Sequence, residues 1–254
     1  MNITILGCHG GNSNKTNLTS FLVNENLLLD AGSASQVLSL EEQLRIRSVL
    51  VTHSHLDHIA TIPFIADNIV GRFETPIEIA APEPVLIPLK EHLFNDKIWP
   101  DFTHIPHSIS PIIRLKTLEN EKSANICGLT VMPVKVHHAV PAYGYIIREN
   151  GNALAYTGDT GPTNRIWEVI NKEAGIKGII TEISYPNRMK REAEISCHMT
   201  LERLLPDLDK IEDKEIPIYI YHLKPLYEEE IIEEIKSAGR KNITILKRGD
   251  VIEI

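Results

Sequence analysis

The chain has 254 residues, 43% of them hydrophobic and 24% charged, with a formal net charge of −8. That is an ordinary soluble globular composition, long enough for one large core. The acidic balance argues against a surface built to grip long nucleic acid, and no run approaches the ~20 apolar residues that a membrane span needs.

In chain order, Ile3 to Leu6 and Ser20 to Leu29 read as strands, with a Gly-, Ser- and Asn-rich turn between them and Asp30-Ala31-Gly32-Ser33 closing the second. The first strand starts at once, without a basic region and a long apolar segment, so no secretion signal is expected. Leu40 to Arg47 predicts a short helix and Ser48 to Thr52 a buried strand. Residues 58–70 predict a helix whose apolar face carries Ile59, Ile62, Ile65 and Ala66. A strand follows at Pro76 to Ala81, then a helix over 84–99 that stops at Trp99-Pro100. An irregular stretch, 101–112, holds His104 and His107. Strands are expected at 112–118, 129–136, 143–148 and 153–157, a helix at Asn164 to Glu173, a strand at Gly178 to Glu182 and a helix at Thr200 to Leu208. Ile216 to Tyr221 reads as strand, Leu226 to Ser237 as a charged helix, and 243–246 as the last strand.

No repeat, low-complexity segment or Pro/Gly-rich linker divides the chain, which predicts one domain over 1–254. Strands followed by mixed strands and helices, twice over, predict an α/β fold of two sheets packed face to face with helices outside. Cys8, Cys127 and Cys197 are odd in number and far apart. That speaks against a disulfide framework and for a reducing cytoplasm.

The chemistry concentrates at strand ends. His53-Ser54-His55-Leu56-Asp57-His58 follows the apolar run Val49-Leu50-Val51. Neutral imidazole nitrogen and carboxylate oxygen are the ligands that zinc and related divalent ions prefer. Without a metal, three crowded histidines would be poorly satisfied, so the segment reads as half of a two-metal hydrolytic site. Four more segments place polar residues after buried strands: His137-His138, Asp159 within 157–161, Glu182 to Ser184, and His222. Alone, Asp159 reads as a turn residue, and His222 reads equally as a hydrogen-bonded core or surface histidine or as a ligand. Five such strand ends in one chain point to one convergent edge. Gly7, Gly10 and Gly11 match neither dinucleotide nor P-loop spacing and read as a tight turn.

The run at 53–58 resembles the H-x-H-x-D-H signature of the metallo-β-lactamase-fold hydrolases, and His138, Asp159 and His222 fall in that superfamily's order. The resemblance covers nearly the whole chain and implies a four-layer αβ/βα sandwich with two divalent ions at one sheet edge. It assigns His53, His55 and His138 to one ion, Asp57, His58 and His222 to the other, and Asp159 to both. Zinc is the expected metal, and manganese or iron suit the same donors. His138 is preferred to His137 because its spacing to Tyr143-Gly144-Tyr145 is similar to that of phosphodiesterase members. Within the superfamily the chain most resembles class II cyclic-nucleotide phosphodiesterases. The strings are HSHLDHIA at 53–60, LFNDKIWPDF at 93–102, TGDTGP at 157–162, TEISYPN at 181–187, CHMT at 197–200 and YHLKP at 221–225. Thr61 and Cys197 stand where the pattern has glycine.

That resemblance implies a metal-dependent enzyme opening cyclic AMP, and cyclic GMP as a second substrate, to 5′-monophosphates, with a hydroxide shared between the metals as nucleophile. Asp57 and His198 are the implied catalytic residues, His198 as general acid or phosphate clamp, with Glu182 orienting its ring. Asp30 is a candidate partner for a ligating histidine or a turn cap, and Trp99 and Phe102 either stack on a base or pack the core. By analogy the enzyme is a homodimer acting on a small molecule, without long nucleic acid or membrane. Two rivals share the fold. A tRNA 3′-processing endonuclease has an equivalent of His198, but the acidic balance and missing basic arm disfavour it. A lactonase is disfavoured by His198 with Glu182.

Overall fold

The computed structural model describes residues 1–254. The chain opens with β1 (Asn2–Gly7) and a hairpin of β2 (Ser20–Val23) and β3 (Leu27–Leu29). The expected single run Ser20 to Leu29 is folded in two by Asn24 and Glu25, both left-handed with φ of 45° and 64°. These two residues and Asn26 form the three-residue loop between the paired Val23 and Leu27, closed by the Asn26 amide on the Val23 carbonyl at 3.2 Å. Short helices α1 (Ala34–Val37) and α2 (Leu40–Gln43) lead into β4 (Ser48–Leu50). The side chain of Ser39 caps α2, and Glu42 reaches back to the Ser39 amide.

The helix expected over 58–70 is two helices, α3 (Leu56–Ile59) and α4 (Ile62–Asn68). The break lies at Thr61, whose amide and hydroxyl both donate to the Ala31 carbonyl, at 2.9 and 2.6 Å. Thr61, where the family pattern has glycine, keeps an ordinary backbone with φ −102° and spends its hydroxyl on that loop. After β5 (Ile77–Pro82), the expected long helix runs only over α5 (Glu83–Pro88), continues as a wide turn at Leu89–Leu93, and stops. Pro88 cannot donate a helical hydrogen bond. Residues 94–99 instead form a loop closed by the Asp96 amide on the Trp99 carbonyl at 3.0 Å.

The remaining strands are β6 (Ile113–Leu118), β7 (Ala124–Ile126), β8 (Leu129–Lys135), β9 (Tyr143–Glu149) and β10 (Asn152–Tyr156). Then come α6 (Arg165–Lys172), β11 (Ile176–Glu182), α7 (Lys190–Ile195), α8 (Leu201–Leu208), β12 (Ile218–Tyr221), α9 (Glu228–Ser237), β13 (Ile243–Ile245) and β14 (Val251–Glu253). The elements absent from the sequence reading, α1, α7, β7 and β14, are too short to show a period.

Two seven-stranded sheets result, in the orders β14-β1-β2-β3-β4-β5-β6 and β13-β12-β11-β10-β9-β8-β7. Alternation decides which core each side chain joins. Leu27 and Leu29 face the space between the sheets, where they join Phe21, Tyr156 and Tyr221, while Leu28 packs outward with Ile62 and Ile65 of α4. On the second sheet Ile180 points inward and Ile179 outward, against Trp167 of α6 and Leu204 of α8. Helix, sheet, sheet, helix is the four-layer sandwich that the resemblance implies.

Parallel pairing is what positions the site. Strands β3 to β6 run parallel, as do β10 to β13, so their carboxyl ends share an edge in each sheet. Cross-sheet bonds join the two edges, among them Tyr145 Oη on the Val51 carbonyl at 2.7 Å, Tyr156 Oη on Asp30 Oδ2 at 2.7 Å, and the Tyr143 amide on the Thr52 carbonyl at 3.0 Å.

Gly32 lies where these loops press together; a Cβ there would stand 2.0 Å from the Asp57 carbonyl oxygen. Gly32→Ala is therefore expected to cost about 1–3 kcal/mol, read as a lowered denaturation midpoint, with the 53–58 loop displaced.

Candidate metal centre

Strand β4 ends at Leu50, and the chain passes through Val51 and Thr52 to His53, with no exposure at any of the three. Asp30, at the end of the parallel neighbour β3, turns left-handed with φ 55° and aims its carboxylate across at Thr52. Helix α3 begins after His55 and sets Asp57 and His58 in its first turn. Asp159 follows β10 and His222 follows β12, the latter left-handed with φ 71° and its amide on the Cys8 carbonyl at 2.7 Å. Gly10 makes room for that ring, since a Cβ would fall 2.5 Å from His222 Cε1 and Nδ1. Gly10, read as part of a tight turn, thus serves a close approach of backbone to imidazole.

The side chains converge in two groups. His53, His55 and His138 offer nitrogens within 4.8 Å of one another, and so do the donor atoms of Asp57, His58, Asp159 and His222. Asp159 Oδ2 lies between them, 3.1 Å from His58 Nε2, 3.0 Å from His222 Nε2 and 3.8 Å from His53 Nε2. His222 Nε2 is also 3.2 Å from Asp57 Oδ2, and His138 Nε2 is 3.2 Å from His55 Nδ1. His137 is exposed, its Nε2 facing Cys197 Sγ at 3.9 Å, so the geometry brings His138 and not His137 into the group.

Outward-facing ring nitrogens are held by other groups. His53 Nδ1 meets Thr52 Oγ1 at 3.0 Å, His58 Nδ1 meets Asp30 Oδ2 at 2.8 Å, His138 Nδ1 meets the Cys197 carbonyl at 3.1 Å, and His222 Nδ1 meets Ser184 Oγ at 2.7 Å. Fixing one nitrogen this way orients the other as a ligand. Cys197 adopts φ 54° to present its carbonyl, so the left-handed turn persists without glycine.

A divalent metal fits this donor set. His53 Nε2 is fully buried and has no hydrogen-bond partner within the chain, a state that costs free energy unless something accepts its lone pair. Protonation states also suit ligation. Burial holds His53, His55 and His138 below the ordinary imidazole range, so they stay neutral. Asp57 and Asp159 are lowered although burial opposes it: a hydrogen bond from His222 and the charge of His58 lower Asp57, and the charges of His222 and His58 lower Asp159. His58 differs, since the carboxylates of Asp159 and Asp30 outweigh its burial and raise it.

Beside the cluster, His198 Nδ1 donates to Glu182 Oε1 at 2.7 Å. Both are buried, and the His198 ring lies 5.0 Å from His138 and 5.1 Å from His222. Burial would lower His198, but the Glu182 charge outweighs it and raises it. Sequence reasoning gave Ser184, Tyr156 and Tyr221 no role. Yet Ser184 Oγ contacts Glu182 and His222, Tyr156 bonds Asp30, and Tyr221 Oη donates to Asp159 Oδ1 at 3.0 Å. Only the position of Ser184 two residues beyond Glu182 hinted at its place. Phe102 is 2% exposed within the outer core, so core packing is its part and not base stacking. Trp99 packs edge-on against Phe64 at 5.0 Å. The rings flanking His198 are instead Tyr185, at 6.1 Å, and behind it Tyr227, at 6.4 Å from Tyr185. His104 pairs with Asp101 and His107 with the Ser110 amide, both apart from the cluster.

The family model described as beta-lactamase superfamily domain matches residues 25–220. The chain belongs to that family, whose fold implies divalent metal ions. Among similar proteins, a probable 3′,5′-cyclic-nucleotide phosphodiesterase of Yersinia pestis is 27% identical over 89% of this chain and 79% of that protein. A ribonuclease Z of Metallosphaera sedula is 26% identical over 60% of this chain and 50% of its own length. The crystal structure of unliganded yeast PDE1 superposes with a TM-score of 0.80 at 20% identity, covering 100% of this chain and 99% of the other, a likeness of fold.

Asp30→Asn keeps the size of the side chain but sets an amide against His58. It is expected to weaken divalent-metal affinity about 10–100-fold, as measured by competition with a chelator, with the circular dichroism spectrum retained.

Proposed function

We propose that this chain hydrolyses 3′,5′-cyclic nucleotides, cyclic AMP foremost and cyclic GMP second, to nucleoside 5′-monophosphates, with residues 1–254 acting as one hydrolase domain. The observation that carries the proposal is the buried His198–Glu182 pair at 2.7 Å beside a full set of metal donors. A cluster built only to bind metal has no use for a carboxylate-oriented imidazole at its rim.

We assign His53, His55 and His138 to one ion, Asp57, His58 and His222 to a second, and Asp159 to both, because Asp159 Oδ2 faces nitrogens of both groups. Imidazole-rich ligation with two carboxylates favours zinc over the harder cations. Bound there, two divalent ions supply Lewis acidity at phosphoryl oxygens and lower the pKa of water towards neutrality. The chain's own part is positioning and proton transfer. Asp57 and Asp159, held ionised, offset the positive charge gathered at the centre. Since His198 Nδ1 is committed to Glu182, its Nε2 is the ring atom left to meet the substrate. It gives its proton to O3′ as the phosphorus–O3′ bond breaks. The oxygen of the attacking water stays on phosphorus, leaving a 3′-hydroxyl and a 5′-phosphate.

A cyclic nucleotide fits better than a tRNA precursor for two reasons. The net charge is −8, which suits a small anion drawn in by local cations better than a long polyanion. The relative named for cyclic-nucleotide hydrolysis aligns over 89% of this chain, against 60% for the ribonuclease Z. The three free cysteines fit the cytoplasm. A homodimer belongs to the same reading, with the exposed Leu56, Phe64, Ile98 and Ile109 offering apolar surface for it.

Purified protein assayed in parallel on cyclic AMP, cyclic GMP, a precursor tRNA and a lactone is expected to turn over the cyclic nucleotides. Cleavage of tRNA with no nucleotide turnover would reverse the assignment. His198→Ala should lower kcat about 10²-fold or more with metal content unchanged by elemental analysis, and Asp57→Ala should abolish turnover.

A further inference from the structure

Ser184 sits between a candidate metal ligand and the candidate acid. Its side chain has no exposure, and Oγ stands 2.7 Å from His222 Nδ1, 2.6 Å from Glu182 Oε2 and 3.2 Å from His198 Nδ1. The backbone holds it there: its amide donates to the Met199 carbonyl at 3.0 Å, and the Ile183 amide donates to the Tyr221 carbonyl at 3.0 Å. The parallel register that pairs Glu182 with Tyr221 brings Ser184, two residues beyond Glu182, alongside His222, one beyond Tyr221.

We propose that Ser184 is a positioning residue that couples metal binding at His222 to the orientation of His198, by relaying a hydrogen bond from the His222 ring to Glu182. This rests on the reading of the cluster as a metal centre and of His198 as its acid.

The direction of each hydrogen bond follows from counting protons. A hydroxyl has one proton to donate and lone pairs to accept with. When His222 Nε2 turns its lone pair to a cation, the neutral ring carries its proton on Nδ1. The acceptor within reach is Ser184 Oγ. The Ser184 proton then goes to Glu182 Oε2, because His198 Nδ1 is itself a donor, engaged with Glu182 Oε1 at 2.7 Å. Glu182 is completed by the Thr160 amide on Oε1 at 2.9 Å and the Met199 amide on Oε2 at 3.3 Å. In the opposite His222 tautomer, Nδ1 accepts and competes with Glu182 for the one Ser184 proton. The carboxylate that aims His198 then loses a donor. One hydroxyl therefore reports the tautomer of the ligand histidine to the carboxylate behind the acid.

The test reads zinc affinity by chelator competition, with no nucleotide present, in the parent protein, Ser184→Ala, Ser184→Thr, Glu182→Gln and the Ser184→Ala/Glu182→Gln double variant. Ser184→Ala is expected to weaken zinc about 10–100-fold, and Ser184→Thr, which keeps the hydroxyl, to recover most of it. Glu182→Gln should add little in the Ser184→Ala background, because the link to His222 is already cut. In imidazole nitrogen NMR, removing zinc should shift the His198 Nδ1–H signal of the parent protein much more than that of Ser184→Ala. Unchanged zinc affinity in Ser184→Ala, additive losses in the double variant, or a zinc-loaded parent in which His222 carries its proton on Nε2 would each overturn the proposal. The last measurement needs no variant to fold. Because no substrate is added, failure to hydrolyse cyclic nucleotides would leave these results standing.

Discussion

The arrangement hangs on one buried carboxylate. Asp30 has no exposure, and its two oxygens accept the Thr52 amide at 2.8 Å, the Thr52 hydroxyl at 2.9 Å and the Tyr156 hydroxyl at 2.7 Å, with His58 Nδ1 at 2.8 Å. Desolvating a carboxylate costs several kcal/mol, offset only when its lone pairs are filled. Here they are filled by groups from β10, from the segment after β4 and from α3. The bond from Tyr156 crosses between the sheets, and the bond from His58 reaches the cluster. The same group that fixes the spacing of the two sheet edges thereby sets the angle of one candidate ligand.

Around that anchor, the centre holds unlike charges in a dry space. Asp159 is 1% exposed, faces three imidazoles through Oδ2 and takes a phenol hydrogen bond on Oδ1. Such a cluster relieves itself by admitting cations, and the orphaned His53 Nε2 points the same way. The overall charge of −8 is no obstacle to an anionic substrate. Surface charges are screened beyond about 8–10 Å in physiological salt, so the local field of any ions held there would prevail at the site.

Legibility followed length and locality. Strands β8, β9 and β11 and helix α6 stood out in the sequence because each is long enough to show its pattern. The helix expected over 84–99 ended early, because Pro88 withdraws a donor and the loop at 94–99 closes on its own backbone. The helix at 58–70 broke at Thr61, where a bond to Ala31, 30 residues away, outweighs local propensity. Tertiary hydrogen bonds of this kind leave no periodic trace. Cys197 makes the same point at the site, keeping a left-handed turn because its carbonyl is engaged by His138.

The residue types and their order after successive apolar strands were determined by the sequence alone, since the donor chemistry of histidine and aspartate does not depend on context. That was enough to mark His53, His55, Asp57, His58, Asp159 and His222 as one group. The service of Asp30 to His58 rather than to a turn, and the place of Ser184 between Glu182 and His222, were decided by the tertiary structure, which also seats His138, the histidine preferred from the family spacing, in the group and leaves His137 outside it. Each depends on the distance and direction between atoms that are far apart in the chain or on neighbouring strands. Those are set by sheet register and by which way a strand end twists as it leaves the sheet.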